Sequence, residues 1–152
     1  MKKKIFNIGY TTGVFDIFHI GHLNILKNAK SLCDYLIVGV TTDEVTLKMK
    51  NKLPIIQFDE RIQIIESIKY VDKAVPKTST NNVDAFLQLK FDVMIKGDDW
   101  KGTKKGEELE REMAISGVVV KYFPYTNETS STILREAISK LNMPAEEMEH
   151  WK

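Results

Sequence analysis

The chain has 152 residues, 43% of them hydrophobic and 28% charged, which suits one globular domain with a sizeable core and leaves no room for a second. Its 22 basic against 21 acidic residues give a net charge of +1, which argues against a generic binder of nucleic acid or of membrane surfaces and still permits a local basic pocket. Cys33 is the only cysteine, so neither an internal disulfide nor a cysteine-cluster metal site is possible. At the amino end, Lys2, Lys3 and Lys4 look like the basic start of a secretion signal. The apolar stretch behind them is interrupted by Asn7, Gly9, Thr11 and Thr12, with Asp16 close behind. It is too short and polar for a signal core or a membrane span, and a cytoplasmic protein is expected. Strands are expected over 4–10, 35–40, 74–75 with its neighbours, 93–96 and 118–123. Helices are expected around 22–32, 59–68, 83–89, 106–116 and 132–141. In the second of these, Ile62, Ile64, Ile65 and Ile68 fall largely on one face, with Arg61, Glu66 and Lys69 elsewhere. Such alternation predicts an α/β single domain over 1–142, a doubly wound parallel sheet covered on both faces, with ligands bound beyond the carboxyl ends of its strands. Residues 48–54 read as a basic loop and 143–152 as a polar tail or short extra helix.

The junction of the first strand and first helix carries Gly13-Val14-Phe15-Asp16-Ile17-Phe18-His19-Ile20-Gly21-His22. A helix start presents unsatisfied N–H groups and partial positive charge, so it is a natural phosphate site. Gly13 and Gly21 let backbone approach a ligand closely. His19 and His22, three apart, can face one side and donate hydrogen bonds to phosphate oxygens as charge builds. The plain alternative is a buried turn with satisfied histidines, which a second histidine, two glycines and an aspartate in this context disfavour. A second candidate, Thr129-Ser130-Ser131-Thr132 followed by Arg135, opens the last helix. Its hydroxyls can simply cap that helix, or bind phosphate with Arg135 adding a forked donor one turn along. Lys48, Lys50 and Lys52 form either a solvated loop or a flexible clamp for a leaving pyrophosphate. Asp16, Asp98 and Asp99 are candidates for orienting catalytic groups, binding ribose or holding Mg²⁺, although Gly97 and Gly102 also allow Asp98-Asp99 to be a turn.

The first segment resembles the GxFDxxHxGH signature of the cytidylyltransferase-like nucleotidyltransferase superfamily, and residues 19–22 spell its His-x-Gly-His core. Class I aminoacyl-tRNA synthetases share that core, but this chain is too short for their additional regions. The run 34–44, Tyr70-Val71-Asp72 and Lys96-Gly97-Asp98-Asp99-Trp100 are similar to blocks of bacterial glycerol-3-phosphate cytidylyltransferases. Residues 130–132 resemble their Ser-Thr-Thr motif and also the Ser-Ser-Thr-x-x-Arg of several adenylyltransferases. The resemblance implies a Rossmann-like fold, a nucleotide site at Gly13, Val14, Phe15, Asp16, Gly21, Asp99, Thr129, Ser130, Ser131, Thr132 and Arg135, and catalytic roles for His19, His22, Lys50 and Lys52. Counted back from Glu60-Arg61, Lys50 and Lys52 occupy the family's two lysine positions; counted forward from Asp43-Glu44 the match is lost by one residue. The family pattern also gives Lys50, Arg61 and Lys69 acceptor-phosphate roles, Arg61 and Lys69 alternatively dimer contacts. One departure stands out: Tyr125 occupies a position that is arginine in the family, and Arg135 is the candidate replacement.

The activity so implied is transfer of CMP from CTP to a small phosphorylated acceptor, glycerol 3-phosphate first, giving CDP-glycerol for surface-polymer synthesis and pyrophosphate. Mg²⁺ is expected with the triphosphate, and the resemblance implies a homodimer; no nucleic-acid or membrane partner is expected. Phosphocholine, phosphoethanolamine, another polyol phosphate or a phosphonate remain open as acceptors. So do an adenylyltransferase acting on a sugar phosphate and a CTP-binding regulatory module without turnover.

Overall fold

A computed structural model describes residues 4–124 and 130–141. The expected tail over 143–152, together with Tyr125 and Thr129, lies outside the described residues.

Five strands of the described residues form one parallel sheet: β1 (Phe6–Gly13), β2 (Cys33–Thr41), β3 (Lys73–Lys77), β4 (Val93–Gly97) and β5 (Val119–Phe123), in the order β3-β2-β1-β4-β5. Among the described residues, six helices connect and cover them: α1 (Ile20–Leu32), α2 (Asp43–Lys50), α3 (Phe58–Glu66), α4 (Asn82–Leu89), α5 (Lys104–Ile115) and α6 (Ser131–Leu141). The chain builds outward from β1 through β2 to β3, then returns to β1's other side with β4. The switch point therefore lies between β1 and β4, and sheets of this kind bind ligands beyond the strand ends at such a point.

Burial explains the strands. Leu36, Ile37, Val38 and Val40 are all at most 4% exposed, so β2 is buried on both faces and reads as a continuous apolar run. One face packs Val38, Val40 and Ile95 against Leu26 and Ala29 of α1 and Ile65 of α3. The other packs Tyr10, Ile37 and Met94 against Leu109 and Met113 of α5, with Val83 and Phe86 of α4 alongside. β1 runs on to Gly13, past the expected end at residue 10, because Thr11, Thr12 and Gly13 stay in register with Val38, Gly39 and Val40.

The expected loop over 48–54 is corrected in part. Lys48 and Lys50 belong to the last turn of α2, and non-helical chain begins only at Asn51, whose left-handed backbone (φ 56°) ends the helix. Thr42 starts that helix by accepting the Val45 N–H, with Asp43 and Glu44 complementing the dipole in its first turn. In α3, Ile65 is buried and Ile62 and Ile68 pack against the core, while Ile64 is 37% exposed. Arg61, expected on the solvent side, is 1% exposed, because it lies four residues before Ile65 and shares its face. Among the described residues, no helix is long and apolar enough to cross a membrane.

Candidate active site

The segment between β1 and α1 is a strained turn held from several sides. Phe15 and Ile17 take positive φ (55° and 49°), a conformation costly for side chains with a Cβ and especially for a β-branched one. At Gly13 a Cβ would crowd the Phe15 ring at 3.1 Å, so glycine lets that ring fold back into the core. Asp16, 2% exposed, lies between these two residues and accepts the N–H groups of Ile55 (2.8 Å) and Ile56 (2.9 Å). Arg135 of α6 donates to the same carboxylate at 2.5 Å. Burial alone would raise the Asp16 pKa; the guanidinium and the two amides outweigh it and hold the carboxyl below its ordinary range.

The two histidines cap the helix they begin. His19 Nδ1 accepts the Gly21 N–H at 3.0 Å, and His22 Nδ1 accepts the His19 N–H at 3.3 Å, a reciprocal capping box with imidazoles as acceptors. Their ring centroids are 3.9 Å apart, and Phe15 and Phe18 pack on His22 at 5.3 and 5.4 Å. Burial lowers the His19 pKa; burial, the neighbouring His19 and Lys50 bring His22 down to about 3, against the opposing pull of Asp16. Both rings are therefore neutral near pH 7. Because each Nδ1 accepts a hydrogen bond, each proton resides on Nε2. His19 Nε2 lies 3.4 Å from Ser131 Oγ, whose own hydrogen is donated to the Asp16 carbonyl at 2.7 Å. The first turn of α6 is thereby tied to the first motif: Ser130 caps α6 by accepting the Ile133 N–H, Ser131 meets His19, and Arg135 meets Asp16. Thr132 is exposed at the same helix start.

Lys50 enters this group from the end of α2. Crowding by the protein, the positive charges of Arg135 and Lys52, and the counter-pull of Asp16 leave its ammonium below lysine's ordinary value. Gly13 to His22, Ser130 to Arg135 and Lys50 are thus brought together at the carboxyl edge of the sheet, with the Lys52 charge acting on Lys50. Asp99 lies at the same edge, in the 3-10 turn Asp98–Trp100 that follows β4. Among the described residues, no group of three His, Cys, Asp or Glu is arranged to hold a metal ion.

Two expected acceptor residues are placed elsewhere. Every donor nitrogen of Arg61 is engaged inside the protein: Nε with Ile56 O (2.8 Å), Nη1 with Val14 O (2.6 Å) and Thr41 O (2.8 Å), and Nη2 with Asp43 Oδ1 (2.6 Å). Arg61 therefore braces the strained turn against β2 from below, and its side chain presents no surface to a ligand. Lys69 lies between α3 and the amino end of β3, at the edge opposite the site, with its ammonium 5.2 Å from the Tyr70 ring centroid. Asp43, which anchors Arg61 and accepts the Phe58 N–H at 3.3 Å, was not singled out from sequence. Its signal was the Thr-Asp-Glu helix start itself.

Residues 10–137 match the family model described as cytidylyltransferase-like. Over 142 residues the chain is 37% identical to the glycerol-3-phosphate cytidylyltransferase of Bacillus subtilis (strain 168), covering 93% of this chain and 100% of that enzyme. The enzyme of the same name from Bacillus spizizenii is 35% identical with the same coverage. Among solved structures, the lipopolysaccharide core biosynthesis protein of Thermoplasma volcanium superposes with a TM-score of 0.68 at 31% identity, covering 82% of this chain and 99% of that one. Pantoate-beta-alanine ligase of Francisella tularensis, at 15% identity and a TM-score of 0.58 over 94% of this chain and 76% of its own, shares the fold.

Proposed function

Since the chain belongs to the cytidylyltransferase-like family of nucleotidyltransferases, we propose that it transfers CMP from CTP to a small phosphorylated acceptor, with glycerol 3-phosphate giving CDP-glycerol and pyrophosphate. The observation that carries this reading is the neutral imidazole pair at the start of α1, with both protons on Nε2 and Ser131 of α6 against one of them. Such a pair donates hydrogen bonds to phosphate without adding fixed charge. The full gain comes as negative charge develops on the bridging oxygens.

In this mechanism an oxygen of the acceptor's phosphate attacks the α-phosphorus in line, the P–O bond to the β-phosphate breaks, and pyrophosphate leaves with the electron pair. The attacking oxygen is already anionic near pH 7, so alignment and charge compensation suffice. His19 and His22 stabilise the α- and β-phosphates. Lys50 and Lys52 compensate the leaving group from the end of α2. Ser130, Ser131 and the α6 amides hold the far end of the triphosphate, with Mg²⁺ arriving bound to the nucleotide. Arg135 acts through Asp16, keeping the two motifs locked together. We extend the proposal to a cytoplasmic homodimer that supplies activated glycerol for a surface polymer.

The test is direct. The purified protein, incubated with CTP, ATP, GTP or UTP and a panel of phosphorylated acceptors, is expected to release pyrophosphate with CTP and to yield CDP-glycerol by mass spectrometry. Turnover restricted to ATP, or CTP binding without acceptor-dependent turnover, would replace the proposal with an adenylyltransferase or a regulatory module.

A further inference from the structure

The carboxyl edge of the sheet holds a second cationic group that the chemistry above does not use. Tyr10 pairs in register with Ile37 and Met94 on the sheet face covered by α4 and α5. Two residues further along, Thr12 and Lys96 point to that same face, and so does Lys77, which ends β3 opposite Thr41. Lys77 Nζ reaches across β2 to donate to Thr12 Oγ1 at 3.3 Å. Between Thr12 and Val75 in the row lies Gly39, where a Cβ would strike Tyr10 Oη, so the path over β2 stays open. Lys96 Nζ sits 3.6 Å from the centroid of the Trp100 ring. Among the described residues, no carboxylate lies within 4.0 Å of either ammonium.

Both side chains are half-buried, and burial lowers both pKa values; Lys96 falls to about 8, with Lys77 pushing the same way and Asp99 opposing. Two like charges held together with Asp99 nearby but no carboxylate in contact work against folding, and the arrangement has a rationale if an anion completes it. The pair is electrostatically distinct from the first group. Lys50 responds to Arg135, Lys52 and Asp16, whereas Lys96 responds to Lys77 and Asp99. The carboxyl edge thus carries two cationic groups, one at the start of α1 and one on the sheet face covered by α4 and α5.

We propose that Thr12, Lys77 and Lys96 form a second anion subsite that takes an acidic group at the acceptor's far end, so that the acceptor class includes small phosphorylated acids, with a carboxylate or second phosphate opposite the reacting one. This rests on the nucleotidyl-transfer reading and narrows its acceptor. The far anion takes no part in bond making, and cationic acceptors such as phosphocholine and phosphoethanolamine are rejected by the same charges. The experiment compares kcat/KM with CTP for glycerol 3-phosphate, 3-phosphoglycerate and glycerol 1,3-bisphosphate in the wild type, Lys77→Met, Lys96→Met and Lys96→Arg. The wild type is expected to favour at least one acid-ended acceptor. Either Met variant should lower that preference tenfold or more through the acceptor's KM, and Lys96→Arg should restore most of it. The subsite is overturned if glycerol 3-phosphate is preferred throughout and the variants leave the ratios unchanged, or if they raise the KM for CTP instead. If CTP gives no product with any acceptor, the transfer reading fails. Calorimetric binding of 3-phosphoglycerate then decides the subsite: binding lost in the Met variants supports it, and no binding or unchanged binding overturns it.

Discussion

His19 and His22 serve the helix start and the proposed chemistry with different nitrogens, so single substitutions can separate the two roles. His19→Ala and His22→Ala should each lower kcat by about a hundredfold or more, the scale of one lost transition-state donor. An asparagine at either position keeps a capping oxygen and should preserve the melting temperature better than alanine. The pH dependence has a definite sign. The His22 pKa is about 3 in the folded protein, so the unfolded chain takes up a proton below its ordinary value near 6.5 and the folded protein does not. Stability should therefore be fully present above about pH 6.5 and decline as pH falls toward 3. Thermal unfolding measured from pH 7 to pH 4.5 should show that decline, and His22→Asn should flatten it. Arg135 and Asp16 form one unit. Arg135→Ala strands a buried carboxylate and should cost activity roughly ten- to a hundredfold, from a charge-assisted contact of about 1.5–3 kcal/mol. Arg135→Lys should recover part of this. Combined with Asp16→Asn, the Arg135→Ala loss should be strongly non-additive; simple additivity in the cycle would show that Arg135 acts on the ligand and not through Asp16.

At the scale of elements, α2 and α3 frame the site in ways their apolar patterns concealed. In α2 only Val45 and Thr46 are buried, while Leu47 and Met49 are 46% and 51% exposed, so the helix has no continuous apolar stripe and its tail read as a loop. The informative signal was the Thr42 cap with its two acidic residues. Ending α2 at Lys50 gives the lysines unequal positions: both are exposed, but Lys50 feels Arg135 and Asp16, whereas Lys48 lies one half-turn earlier in the helix. Lys50→Ala should lower kcat/KM at least tenfold and Lys48→Ala should change it little; equal effects in steady-state assays would leave the segment without a phosphate role. In α3, Arg61 joins Val14 of the turn, Thr41 of β2 and Ile56 of the chain that leads into α3. Arg61→Met should destabilise the protein by about 3–5 kcal/mol in denaturant unfolding, since it leaves buried carbonyls unpaired and breaks a partly buried ion pair. An effect on the acceptor's KM at unchanged stability would instead return Arg61 to a substrate role.

At the scale of the molecule, the site is a product of the topology: β1 lies at the centre of the sheet, and its carboxyl end receives residues from α1, α2, α6, β3 and β4. A ligand bridging these elements should stabilise the whole domain. At a hundredfold excess over its dissociation constant, CTP should add about 2.7 kcal/mol, raising the melting temperature by roughly 5–10 °C; a larger shift with ATP would reverse the assigned base preference. The amino-acid sequence by itself determined the alternation of strands and helices, the parallel sheet and the two segments that meet at the candidate site. Those properties are local: apolar runs, caps, and a glycine–histidine pattern at one strand–helix junction. Which charges face the site is not local. Arg61 and Lys69 look like surface cations in a linear reading, yet one is walled into the interior by its spacing from Ile65 and the other stands at the far edge of the sheet. Lys77 and Lys96, 19 positions apart and without a link in the linear sequence, meet because β3 and β4 flank the central pair and end at the same edge. Only strand order and register decide such a meeting, and they arise from burying both faces of the sheet at once.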